Sequence, residues 1–302
     1  MKLDPMLTSL LLSRSQLHRR NREIWTDLDW QAVITDPKTK VLELKGGKVK
    51  VVNSQLSLIE IADADKNLVW LDLGVDQDQI NYIATLDETS SPAEWQDLRQ
   101  VGATLSDLHT GLLVTSLAMF NWHKKNKFCA NCGAQTIVET AGWTRRCESC
   151  QVVHHPRTDA AIICLVVDES DRILLGSRVD WSADFFSTFA GFVESGESAE
   201  MTVIRELREE AGVEVAYEDI QYRGSQVWPF PQSLMLGYRA LTKTSKAQAD
   251  GYEISEVRWY SRAELAADCE SGKLKLPSKI SIARALIEEW FGEPLNDAWL
   301  RP

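Results

Sequence analysis

The chain has no apolar run near the roughly eighteen residues a membrane span requires. Its short segment Met6-Leu-Thr-Ser-Leu-Leu-Leu12 is too brief and wrongly flanked for a signal sequence. No membrane association is expected, and the expected compartment is the cytoplasm. Positive charge is also scarce: 33 Lys and Arg stand against 44 Asp and Glu, for a net charge of -11 and a pI near 5.1. Long-range attraction to nucleic acid needs positive potential, so a general polyanion binder is excluded. Any phosphate-bearing ligand must be met by local cations, either metal ions or arginines. Cysteine is limited to 6 of 302 residues. In a reducing compartment, metal binding or burial explains these better than disulfides. Apolar residues, at 44%, leave room for two or more compact units. The 11 tryptophans are read first as core or interface residues.

One stretch concentrates the chemistry. From Gly191 to Val213 the chain reads as a glycine turn, a loop, and a short acidic helix closed by Gly212. Met201, Val203, Ile204, Leu207 and Ala211 fall mostly at helical spacing, which leaves the acidic residues another side. Glu206 and Glu210 stand one turn apart with Glu209 beside them, an arrangement that destabilises an isolated helix. A divalent cation removes that penalty: hard oxygen donors at this density, with Glu197 upstream, suit Mg²⁺ or Mn²⁺ shared with substrate phosphates. Arg205 can hold one carboxylate ionised and aimed.

Gly191, Glu197, Arg205, Glu206, Leu207, Glu209, Glu210, Gly212 and Val213 meet every fixed position of G-x5-E-x7-R-E-U-x-E-E-x-G-U, with U apolar. The stretch thus resembles the box of the Nudix hydrolases. That resemblance implies an α/β/α sandwich and metal-dependent hydrolysis of a nucleoside diphosphate linked to another moiety.

Upstream, Cys129-Ala-Asn-Cys132 and Cys147-Glu-Ser-Cys150 form two C-x2-C pairs around a stretch that reads as a hairpin, Thr136 to Thr140 and Gly142 to Arg146. Each pair can wrap one side of a tetrahedral Zn²⁺, and four thiolates fill its shell, so this metal is expected to be structural. His154 and His155 lie close by but are not needed as ligands. The ribbon is read as a brace more than a nucleic-acid contact, given the acidic whole. Cys164 is expected in a buried strand, and Cys269 to be incidental.

Past the box, Ser225-Gln-Val-Trp-Pro-Phe-Pro-Gln-Ser233 is expected to hold aromatic surface in a stiff extended loop. It is similar to the S-Q-P-W-P-F-P-x-S marker of the NADH pyrophosphatases, also described as NAD-decapping hydrolases, with Val227 in place of the first proline. The pair Trp122-His123 and a four-cysteine ribbon ahead of the catalytic domain match the same branch. The resemblance covers about residues 118 to 290.

It implies cleavage of NAD(H) to nicotinamide mononucleotide (NMN or NMNH) and AMP, possible removal of NAD caps from RNA, and a homodimer. It implies Glu206, Glu209, Glu210, Glu253 and the carbonyl of Ala283 as contacts for Mg²⁺ or Mn²⁺, with Glu256 as rival to Glu253. General-base duty falls to Glu209 first and Glu197 second. Phe192, Ser225, Gln226, Trp228, Phe230, Ser233 and His155 are implied as substrate contacts. His155 stands where the family carries tyrosine before Pro-Arg. This difference and Val227 leave open another dinucleotide or a nucleotide sugar as substrate, while a non-catalytic cofactor- or RNA-binding module is the reading from a different class.

The whole is expected to be α+β: a β-rich N-terminal domain at 1–124, the zinc ribbon at 125–156 and the Nudix sandwich at 157–302. In the N-terminal part, Val41 to Leu44 and Lys48 to Val52 read as a hairpin across Gly46-Gly47. Ser57 to Ile61 and Leu68 to Leu73 read as further strands. A helix is expected from Pro92 to Trp122, broken near Gly111. The arginines at 14, 19, 20 and 22 have no assigned structure at this level.

Overall fold

The computed structural model describes residues 6–300 apart from 8, 9 and 23. The chain divides into two compact units, one comprising 12–158 with 228–232, the other 1–11, 159–227 and 233–302.

The first unit opens with α1 (Asp27–Thr35), started by a reciprocal cap in which Thr26 accepts from Asp29 N–H and the Asp29 carboxylate accepts from Thr26 N–H. Next come β1 (Lys40–Lys45), β2 (Val51–Val52), β3 (Gln55–Leu56), β4 (Leu58–Glu60), β5 (Val69–Val75) and β6 (Asn81–Asp87). The expected β1 hairpin does not form beyond one Lys45 to Lys48 bridge. Gly46 and Gly47 turn the chain at φ 56° and 80°, but Val49 then pairs with Gln96, and β2 pairs with β3. β1 lies instead between β4, antiparallel, and β6, parallel, in a sheet ordered β4-β1-β6-β5. Both edges of β1 are thus paired with strands from elsewhere in the chain, which local alternation cannot announce.

The long helix is also corrected. It is two helices, α2 (Leu98–Val101) and α3 (Asp107–Lys125), divided at 102–106, where Ser106 caps α3. Gly111 lies inside α3, where a β-carbon would collide with Ser15. The glycine permits a close approach and marks no break. The ribbon follows with β7 (Thr136–Glu139), β8 (Thr144–Cys147) and β9 (Val153–His154), the hairpin and a third strand.

The second unit runs β10 (Asp159–Asp168), β11 (Ile173–Arg178), β12 (Phe189–Phe192), α4 (Ala199–Ala211), β13 (Ile220–Trp228), β14 (Ser233–Thr242), β15 (Ile254–Tyr260), α5 (Arg262–Glu270) and α6 (Ile282–Phe291). Its mixed sheet is ordered β13-β14-β10-β11-β15, with β12 also paired to β10. β10 is apolar on both faces because both are covered. Ile162, Cys164 and Val166 pack with Val203, Leu207 and Ala211 of α4, while Ile163, Leu165 and Val167 pack with Ile282, Leu286 and Ile287 of α6. This is the α/β/α sandwich. Each such side chain contributes about 1.5–3 kcal/mol of burial, which holds α4 in place against its own charge repulsion.

Candidate active site

α4 is bounded by side-chain and backbone chemistry. Ser198 accepts from the Met201 N–H at its start, and Gly212, at φ 63°, ends it by donating to Arg208 O at 3.1 Å. With Val203, Leu207 and Ala211 fully buried, Glu206, Glu209 and Glu210 are set along one edge beside β12. Gly191 lies within β12, paired with Ile162, and is not a turn residue. It is glycine because a β-carbon there would overlap the Glu206 carboxylate.

Arg205 is the hub. Its guanidinium donates to Glu197 at 2.8 and 3.0 Å, Glu206 at 2.7 Å, Glu209 at 3.2 Å and the Phe192 carbonyl at 3.0 Å. Glu197 also accepts from Thr202 Oγ1 at 2.9 Å and Glu194 N–H at 3.2 Å. The Arg205 hydrogen bonds, above all, pull its carboxyl down to about 2. Near neutrality this carboxylate is ionised and held against Arg205.

The other carboxylates are strained the opposite way. Glu210 is 4% exposed, and its Oε2 has no hydrogen-bond partner. Burial first, then the charges of Glu206 and Glu253, push its carboxyl up to about 8. Glu206 is raised as well, by burial and by Glu209 and Glu253, against the pull of Arg205. A buried carboxylate with an orphaned oxygen and acidic neighbours suits a cation, so these residues fit Mg²⁺ or Mn²⁺.

Glu253 and not Glu256 belongs to this set. Its charge acts on both Glu206 and Glu210, whereas Glu256 is paired with Arg258 at 2.6 Å. Two residues that the sequence reading passed over position it. Arg178 approaches its carboxylate at 3.4 Å, and Asp250 accepts the backbone N–H groups of Tyr252, Glu253 and Ile254. The Asp250-Gly251 turn was the available signal. Ala283 is not brought to the cluster: it lies in the first turn of α6, 1% exposed in the core on the opposite face of the sheet from α4.

The aromatic segment is mostly strand. Ser225, Gln226 and Trp228 lie in β13, and only 229–232 form a turn before Ser233 opens β14. Gln226 is 1% exposed and donates to Ile280 O at 2.8 Å, while Ser233 is 7% exposed. Trp228 and Phe230 meet edge to face at 4.9 Å, with the Phe230–Pro231 peptide cis. Asn121 ties the turn by donating to Pro229 O and Pro231 O at 3.0 and 2.9 Å, and Arg99 stacks 3.9 Å from the Phe230 ring centre. Phe192, at the end of β12, is 58% exposed, and His155 is exposed after β9.

The cysteines are gathered as a tetrahedral ion requires. All four Sγ atoms lie within 4.8 Å of one another, with Cys129 to Cys150 at 3.6 Å and Cys132 to Cys147 at 3.4 Å. Zn–S bonds of about 2.3 Å place sulfurs about 3.8 Å apart, so the group fits Zn²⁺. Backbone N–H groups point at the sulfurs, from Asn131 to Cys129 and from Cys150 to Cys147, both at 3.4 Å. The Val152 N–H above all lowers the Cys150 thiol to about 6. His154 reaches Cys129 Sγ at 3.2 Å as a hydrogen-bond partner outside the four.

Comparison with known proteins agrees with this geometry. Residues 156–279 match the NUDIX domain, and residues 124–154 match the NADH pyrophosphatase zinc ribbon domain. A Stutzerimonas stutzeri protein, "NAD-capped RNA hydrolase NudC", is 32% identical over 89% of this chain and 96% of its own length. The chain belongs to the Nudix hydrolases, in the NADH pyrophosphatase branch. Two further members of this branch are similar over their shared part. The Mycobacterium tuberculosis protein of the same name is 44% identical over 66% of this chain and 66% of its own length, just under two thirds. The human "NAD-capped RNA hydrolase NUDT12" is 33% identical over 62% of this chain and 42% of its own length. Among the described residues no helix is long and apolar enough to cross a membrane.

Proposed function

We propose that this chain hydrolyses the pyrophosphate of NAD(H), releasing NMN or NMNH and AMP, and acts likewise on the NAD cap of RNA. The observation that carries the reading is the buried, partnerless oxygen of Glu210 beside Glu206 and Glu253. Pyrophosphate resists water because its negative oxygens repel a nucleophile, so charge must be offset and a water aligned opposite the leaving phosphate. A divalent cation supplies the charge offset when bound, and Glu206, Glu210 and Glu253 would hold it. Arg205, aimed by Glu197, keeps Glu206 oriented. Glu209 takes the general-base role, because half of it is exposed and only one of its oxygens answers Arg205. In the second unit Phe192 offers a ring face for a flat end of a dinucleotide, with Ser225 as a polar contact; in the first unit Trp228 and Phe230 offer ring faces and His155 an imidazole. Gln226 and Ser233, being buried, shape the turn that presents those rings.

The same reading takes the domains as 1–124, 125–156 and 157–302, the active form as a homodimer and the compartment as the cytoplasm, where six free cysteines are at home. Incubation of the purified chain with Mg²⁺ or Mn²⁺ and NADH, NAD⁺, NAD-capped RNA or an ADP-sugar tests the substrate. NMNH or NMN with AMP is expected, and cleavage of the ADP-sugar alone would replace the reading. Light scattering of the same sample tests the dimer.

A further inference from the structure

The hydrolytic chemistry makes no use of an open hollow in the first unit. An open cavity of about 630 Å³ lies between the start of α1, the turn into β5 and the ribbon turn at 138–142, lined among others by Arg22, Trp25, Trp30 and Trp70. That volume is within the range of small-molecule sites. Trp25 and Trp30 meet edge to face at 5.9 Å, and Trp70 is pinned by its indole N–H to Asp65 O at 2.8 Å. Each packs one part on the core of Val33, Val41 and Ile61 and stays only partly buried.

Charge at this place runs against the rest of the chain. Arg19, Arg20 and Arg22 crowd one another, and the carboxylate that offsets them is Asp72, fully buried. Arg20 takes that carboxylate directly together with Asn81. Arg22 lies 3.9 Å from Asp72, beyond hydrogen-bond reach, and its Nε and Nη2 have no acceptor. Its guanidinium is held flat, 3.8 Å from the Trp143 ring centre. Of the acids lining the cavity, Glu139 is neutralised by Arg146 at 2.9 Å, and Asp27 is exposed at the start of α1. Among the described residues Arg22 thus lines the cavity with no carboxylate of Asp72 or Glu139 in hydrogen-bond reach of it.

The ribbon side of the cavity is built at a conformational cost. Thr140, Ala141 and Gly142 all have positive φ, at 51°, 48° and 88°, and a β-carbon at Gly142 would press on the Trp70 carbonyl at 2.6 Å. Two non-glycine residues in this region cost about 1 kcal/mol or more each, which the fold retains to keep this wall.

We propose that this cavity binds one nucleotide unit, with the base against the tryptophans and the phosphate at Arg22. Indole faces accept any base, and the part of the Arg22 side chain that lines the cavity, 20% exposed, brings a guanidinium that suits a phosphate. Two sources share this chemistry, a free mononucleotide and a 5′-terminal nucleotide of single-stranded RNA. The inference does not rest on the hydrolytic reading, since it concerns binding in the other unit.

The test is calorimetric titration of the zinc-loaded full chain, without Mg²⁺ or Mn²⁺, with AMP, with adenosine, and with a 5′-phosphorylated RNA 8-mer. The variants are Arg22→Lys, which keeps a charge for Asp72 but loses the fork, and Val138→Phe, which fills the cavity. The wild type is expected to bind one more AMP per chain than either folded variant, or to bind it at least tenfold more tightly, with adenosine weaker by a similar factor. RNA binding lost in the same variants identifies the RNA end as a ligand, and AMP binding without RNA binding identifies the free mononucleotide. Either result supports the site. Should Arg22→Lys fail to fold, Val138→Phe decides alone. AMP and RNA titrations identical in the wild type and in the folded variants overturn it.

Discussion

The two candidate metal centres of this chain solve opposite problems. In the ribbon, four sulfurs already lie within 4.8 Å of one another, each approached by N–H donors or a histidine and none by a competing cation. On α4, the carboxylates are spread along a helix, one of them buried without a partner, and Arg205 sits in their midst. A closed, preassembled set binds once and supports the fold, whereas a spread, over-acidic set binds a cation that substrate phosphates must still share.

Several variants would break or sharpen that contrast. The largest effect is expected from Cys147→Ser: structural zinc sites are worth about 10–16 kcal/mol, so zinc content by metal analysis should drop and the first unit should lose its cooperative melt. A variant that kept zinc and melted normally would refute the structural role. Next, Glu206→Gln should lower kcat by about 10³-fold while zinc content and Tm stay near wild type, since its loss removes charge needed only in the reaction. Unchanged turnover there would end the catalytic assignment.

Gly191→Ala should come third. The new methyl displaces the Glu206 carboxylate, and turnover should fall about 10²-fold with little change in far-ultraviolet dichroism. Activity equal to wild type would show that Glu206 moves freely. The smallest effect is a titration on the ribbon side. Burial above all, with Arg145 adding to it and the Gly142 hydrogen bond opposing it, lowers His123 to about 4. Its Nδ1 must accept from Arg145, because a guanidinium only donates, so Nε2 carries the proton to Gly142 O at 2.8 Å. The folded value lies below the unfolded one, so this contribution is complete above about pH 6.5 and is lost as pH falls toward 4, on the order of 2 kcal/mol. Denaturant melts of wild type and His123→Asn at matched zinc content should differ in slope across that window, and parallel slopes would remove His123 as the cause.

Much of the second unit was legible in the chain. The β10 run, the acidic helix with its caps and the apolar face of α6 are all carried by residues within a few positions of one another, as are the cysteine pairs and their hairpin. The first unit was less legible. β6 went unread, β1 was given the wrong neighbour, and the helix break was put at Gly111 when Ser106 carries it. Strand partners from distant parts of the chain leave no local trace, and a helical glycine reads alike whether it ends a helix or admits a neighbour. At the site, only resemblance put Glu253 ahead of its rival Glu256, and Arg178 had no motif to mark it. The carbonyl of Ala283, taken as a metal contact by resemblance, belongs to a residue packed in the α6 core on the opposite face of the sheet from α4.

The sequence by itself determined which chemistry this protein carries, because helix period, capping and cysteine spacing act over a turn or two and survive in one dimension. Only the tertiary structure decided which glutamate lies beside Glu206 and Glu210, which one is locked onto Arg205, and which aromatic rings gather around the cavity of the first unit. Those outcomes depend on burial and on charges brought together from far along the chain, and both exist only once the sheet has closed over its helices.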